Sequence, residues 1–133
     1  MANFKNSEVI KRVLQTFVRK IGRRIPESFA LSTIDNAIKN LEEKHDVLRY
    51  IKIDASRYMD GFDAVSIMSE INNVESYKLG KAIQEIIKML HNKLGGRAPS
   101  FIEDFKNKLG DKYLSEIEKI GVNLHLLQLK SLL

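Results

Sequence analysis

The chain has 133 residues and no cysteine, with 44% hydrophobic against 29% charged positions. That balance excludes a disordered chain, and the missing cysteine excludes disulfide frameworks, thiolate metal sites and cysteine nucleophiles together. What is left is one ordinary domain, long enough to bury a core without a covalent staple. The formal charge of +5 is uneven: residues 1–26 hold seven bases against one acid, so the other 107 residues sum to −1. Residues 1–12 lack the apolar run of a signal peptide. The longest uncharged apolar-rich stretch, Ile120–Leu129, is too short to span a bilayer. The expectation is a soluble, cytoplasmic protein with no membrane insertion.

In chain order, Ser7 reads as the N-cap of a first helix over 8–22, with Ile10, Val13, Leu14, Phe17 and Ile21 on one face. Gly22 suits a left-handed helix end and Pro26 a stop. A second helix begins near Pro26 or Ser32, buries Phe29, Ile34, Ala37, Ile38 and Leu41, and ends near Lys44. Residues Val47–Ile53 are rich in branched and aromatic side chains and read as a strand. Asp60-Gly61 marks a turn, and Asp63 caps a short helix through Ala64, Val65, Ile67, Met68 and Ile71 that Asn72-Asn73 ends. A long helix then runs from Ser76 to Leu94, stopped by Gly95-Gly96. The next runs from Pro99 to Leu109, breaks at Gly110 and resumes through Tyr113, Leu114, Ile117 and Ile120 until Gly121. Residues Val122–Leu129 alternate enough for a second strand, with a C-terminal helix as the rival reading.

A shift of 73 residues lays the first helix on the third. Ile10, Lys20, Gly22, Arg24 and Pro26 then meet Ile83, Lys93, Gly95, Arg97 and Pro99, five identities in seventeen positions. The shared Gly-x-Arg-x-Pro carries the resemblance, because any two amphipathic helices match in their apolar faces. The reading is a helix-dominated α+β single domain, 1–133. It carries a duplicated α-α-β unit (1–53 and 76–133), a linker with a short helix (54–75), and a small sheet whose two strands pair with each other. Two strands alone make a marginal sheet, so helices must cover one face.

The sequence offers four sets of candidate functional residues. Lys5, Arg12, Arg19 and Arg23 lie opposite the apolar stripe of the first helix, within about 40° of each other at 3.6 residues per turn. Their shifted counterparts are Lys78, Glu85, Asn92 and Gly96, so this basic ridge belongs to the first helix alone. It suits an anionic partner such as nucleic acid, although no aromatic residue is interleaved to stack single-stranded bases. Arg24 and Arg97 are symmetry mates if the units are related by a twofold, placed to grip a phosphate or carboxylate between them. Six of the last ten residues are leucine. Leu124, Leu126, Leu127, Leu129, Leu132 and Leu133 therefore form an expected interface for a homo-oligomer. Asp54, Asp60 and Asp63 share a loop but lack the ligand spacing of a calcium site. No metal site is expected.

The histidines, His45, His91 and His125, are isolated, and His91 sits at the exposed edge of its helix. Phe105–Ile120 can be drawn as a helix-turn-helix, but its second helix presents acids among its lysines, which suits base edges poorly. No nucleophile elbow, phosphate loop, dinucleotide fingerprint or zinc-binding helix is present, so no catalytic residue and no cofactor is expected. The leading reading is a non-catalytic regulatory or adaptor domain that acts by protein–protein contact as a homo-oligomer, with an unidentified protein partner. The alternatives are a nucleic-acid-binding protein using the ridge and a small-molecule sensor with its pocket between the two units.

Overall fold

A computed structural model describes residues 4–21, 27–53, 65–94 and 101–125, with the backbone alone described at 19–21, 27–30, 94 and 101. The fold is helix-dominated α+β. Its helices are α1 (Asn6–Ile21), α2 (Glu27–Leu41), α3 (Ser76–Leu94), α4 (Phe101–Leu109) and α5 (Asp111–Lys119). Between α2 and α3 lie a 3-10 segment (Asp46–Tyr50), strands β1 (Ile51–Ile53) and β2 (Val65–Ile67), and a second 3-10 segment (Ser69–Asn73).

Helix α1 is the hub, in contact with α2, α3, α4, α5, β2 and the second 3-10 segment. Val9, Ile10, Val13, Leu14, Phe17 and Val18 are buried on it. Phe17 stacks on Phe105 of α4 at 4.4 Å between ring centroids. Its first turn is tied down by side chains rather than by Ser7, which is already helical. Asn6 Nδ2 donates to the carbonyls of Ile71 and Val74, both at 2.9 Å. Asn72 Oδ1 accepts from the Ser7 N–H, also at 2.9 Å, so one orphan donor of the helix start is capped from the second 3-10 segment.

Helix α3 buries Leu79, Ala82, Ile83, Ile86, Ile87 and Leu90. At Gly80 the helix backbone closely approaches another segment. A Cβ there would overlap the Ile120 carbonyl oxygen and lie 2.7 Å from its carbon, so only glycine lets α3 and the end of α5 meet. Gln84, one turn on, fixes the chain after α5 by a two-way bond. Its Nε2 donates to the Asn123 carbonyl at 3.1 Å, and its Oε1 accepts from the Asn123 N–H at 2.8 Å.

The glycine breaks expected at 110 and 121 are present, with φ of 93° and 107°. After α5 the N–H of Val122 reaches the Ile117 carbonyl at 3.0 Å, and that of Gly121 the Glu118 carbonyl at 3.1 Å. Together they close the helix with the paired bonds of a left-handed glycine end. Gly22 and Gly95, expected to act alike, lie outside the described residues.

Five expectations are corrected. Val47–Tyr50 is not strand but 3-10 helix, and only Ile51–Ile53 is extended. β1 pairs antiparallel with β2 (Ile51 with Ile67, Lys52 with Ser66, Ile53 with Val65), not with 122–129. Val65–Ile67 is thus a strand where a short helix was expected. Three alternating residues are too few to show a period, and the pairing decides. At the C-terminal end, burial does alternate over Val122, Asn123, Leu124 and His125, but Leu124 and His125 are helical rather than extended. The second half therefore continues from α4 into α5, where the first half continues from α2 into the 3-10 segment and β1. The two Gly-x-Arg-x-Pro stretches lie outside the described residues. Finally, His91 is buried rather than exposed. It falls in one row with Gly80 and Ile87, which widens the buried face of α3 beyond the stripe of Leu79, Ile83 and Leu90.

Candidate ligand-binding cleft

The basic ridge of α1 divides on inspection of its members. Lys5 is exposed just before the helix. Arg12 is committed to structure: its guanidinium reaches the carbonyls of Leu109 at 3.4 Å and Lys108 at 3.5 Å. It also lies 5.3 Å over the Tyr113 ring, which stacks in turn on Phe4. Arg12 thereby satisfies the last carbonyls of α4 with a cation at the negative end of the helix. The sequence stripe placed Arg12 opposite the core, but Val9 and Thr16 are buried as well. Thr16 is about 40° from Arg12 around the helix, so Arg12 sits at the margin of the buried arc. The Arg19 side chain and residues Arg23, Arg24 and Arg97 lie outside the described residues.

Of the leucines expected at an interface, Leu124 is 2% exposed and belongs to the chain's own core. Leu126, Leu127, Leu129, Leu132 and Leu133 lie outside the described residues, as do Asp54, Asp60 and Asp63. Among the described residues no three histidines or acids converge as a metal site, and no helix is long and apolar enough to cross a membrane.

Among the described residues, charge and aromatic surface also converge elsewhere. A cleft of about 530 Å³ opens between the first 3-10 segment and the first turns of α3. Lys44, Arg49 and Tyr50 line one wall, Tyr77, Lys78 and Lys81 the other, and Asp46 is the one carboxylate among the lining residues. The local sequence builds both walls. Residues 42–44 turn out of α2, where the N–H groups of Lys44 and His45 both return to the Leu41 carbonyl. Val47 and Leu48 then anchor the 3-10 segment in the core, which leaves Arg49 exposed. On α3, Leu79 and Gly80 are buried, so Tyr77, Lys78 and Lys81 face outward from the same two turns.

Each wall pairs a cation with a tyrosine. The Arg49 guanidinium lies 5.3 Å over the Tyr50 ring and donates to the Tyr50 hydroxyl at 3.4 Å. That hydrogen bond, with the nearby charges of Tyr50, Asp46 and Glu42, raises the arginine's pKa further above its normal value. The Lys81 ammonium lies 5.8 Å from the Tyr77 ring. Lys78 and Lys81 stand near the positive end of the α3 dipole, which the exposed Glu75, whose carbonyl accepts from the Lys78 and Leu79 N–H groups, offsets in part. An anion in the cleft would meet both the side-chain charge and the helix end.

Sequence reasoning passed over this cleft. Read locally, Arg49 and Tyr50 belong to the Val47–Ile53 strand pattern, and Lys78 is only the shifted counterpart of Lys5. The available signal was the interleaving of bases with aromatics in Lys44…Arg49-Tyr50 and Tyr77-Lys78…Lys81. The two stretches lie about 30 residues apart, and only the packing of the 3-10 segment on α3 joins them. No family model, no curated protein and no solved structure matches the chain.

Proposed function

We propose that this protein is a non-catalytic binding module, working in the cytoplasm, that holds an anionic ligand in the cleft between the first 3-10 segment and α3. One observation carries the reading: four cationic side chains and two tyrosines line one cleft with a single carboxylate. Its volume lies within the usual range for ligand sites, roughly 300–1,000 Å³. The anionic partner is the one foreseen for the ridge of α1, moved to a different surface because Arg12 serves the fold.

Elution from heparin tests it. The protein is expected to be retained at low salt, and Lys78→Gln/Lys81→Gln to elute at distinctly lower salt, while Lys5→Gln/Lys11→Gln, which changes one lysine before α1 and one on it, both outside the cleft lining, shifts elution little. Flow-through of the unmodified protein at low salt, or equal shifts from both double variants, overturns the reading.

A further inference from the structure

We infer that the ligand of this cleft is single-stranded nucleic acid, held by stacking of a base on Tyr77 with its phosphates against Lys78, Lys81 and Lys44. The inference rests on the anion-binding reading above and deepens it. Cationic groups alone would suit any polyanion, so the aromatic surface has to decide the class. Among the described residues only Met68 and Tyr77 are large hydrophobic side chains left exposed, at 40% and 53%. Of the two, Tyr77 stands in the cleft, beside Lys44, Arg49, Lys78 and Lys81. Across from it, Arg49 over Tyr50 supplies a second flat surface, since a guanidinium stacks on bases as well as binding phosphate.

A flat aromatic face beside a charged backbone track is the arrangement that binds single strands with little sequence preference. A duplex offers no unstacked base to enter such a cleft, and an acidic peptide presents a ring only where its sequence supplies one, whereas every nucleotide of a single strand carries a flat base beside its phosphate. Neither accounts for an exposed aromatic flanked by cations on both walls.

Binding of a fluorescein-labelled oligothymidylate of about ten nucleotides, a typical site size for one such module, is followed by fluorescence anisotropy. Tyr77→Ala is expected to weaken binding about tenfold, the scale of one lost base stack. Tyr77→Phe keeps the ring face and stays within about twofold of the unmodified protein. Because Tyr77 is exposed, both variants keep the native circular dichroism spectrum, and both elute from heparin like the unmodified protein. Lys78→Gln/Lys81→Gln lowers the slope of log affinity against log salt by about 1.4, two contacts at roughly 0.7 each for a single strand.

The inference fails if Tyr77→Ala binds the oligomer like the unmodified protein while the lysine variant loses affinity. In that case the anion-binding reading stands without the stacked base. It also fails if a duplex of the same length binds equally well, or if thymidine monophosphate competes at the same concentration as the oligomer, which points to a free nucleotide. If neither heparin nor the oligomer binds at low salt, both readings fall together.

Discussion

Two arginines in this chain lie over tyrosine rings at the same distance, 5.3 Å, and do different things. Arg12 is partly buried, its Nε and Nη2 donors turned to the carbonyls that end α4 and its tyrosine stacked beneath Phe4. Arg49 is exposed, donates to its own neighbour's hydroxyl, and opens on a cleft that α3 lines with two more cations. The pair geometry alone does not tell a structural arginine from a recognition one. The neighbours do, because a guanidinium whose Nε and Nη2 already meet the carbonyls of a helix end turns fewer donors to a phosphate.

The sharpest way to separate fold from recognition uses adjacent residues of α3. Gly80→Ala places a methyl group in the Ile120 carbonyl, and backbone on both sides leaves little room to relax. It is expected to cost about 4 kcal/mol or to prevent folding, seen as a collapse of the urea midpoint. Lys81→Gln, one residue on, leaves that midpoint unchanged within about 0.5 kcal/mol, as is usual for exposed positions, and acts on anion binding only.

Leu124→Ala comes next. It removes a side chain that is 2% exposed and is expected to cost about 3 kcal/mol in denaturant unfolding, as large-to-small core changes do. A loss under about 0.5 kcal/mol would return Leu124 to the exposed leucine patch expected from the sequence.

The arginine comparison itself is broken by Arg12→Gln against Arg49→Gln. The first is expected to cost about 1 kcal/mol through the lost carbonyl bonds, the second almost nothing in stability. Equal melting temperatures for the two variants would erase the distinction between them.

The smallest effect is one of pH. Burial lowers the pKa of His91 in the folded chain below its ordinary 6.5. The unfolded chain therefore takes up this proton more readily, so stability rises with pH through that range and falls as pH drops below about 6.5. Replacing His91 with leucine should flatten the fall in melting temperature between about pH 7 and pH 5. An unaltered pH profile would show that His91 does not contribute to it.

Local patterning sets the long helices and the breaks at Gly110 and Gly121. Leu79, Ile83, Ile86, Ile87 and Leu90 define α3, and Gly110 and Gly121 end helices, because helical periodicity and glycine's freedom at positive φ act over one or two turns. Tertiary structure decided what those local rules do not reach. Val65–Ile67 became a strand by finding Ile51–Ile53, since a three-residue strand has no stability apart from its partner. Val9, Thr16 and His91 went inside because helices packed on a second side of α1 and α3, which a single apolar stripe does not foretell. The cleft is likewise tertiary: Arg49-Tyr50 and Tyr77-Lys78 each read as ordinary surface, and they share a site only because the 3-10 segment packs against α3. A stripe records which residues avoid water, whereas the partner they avoid it with is set by contacts distant in sequence.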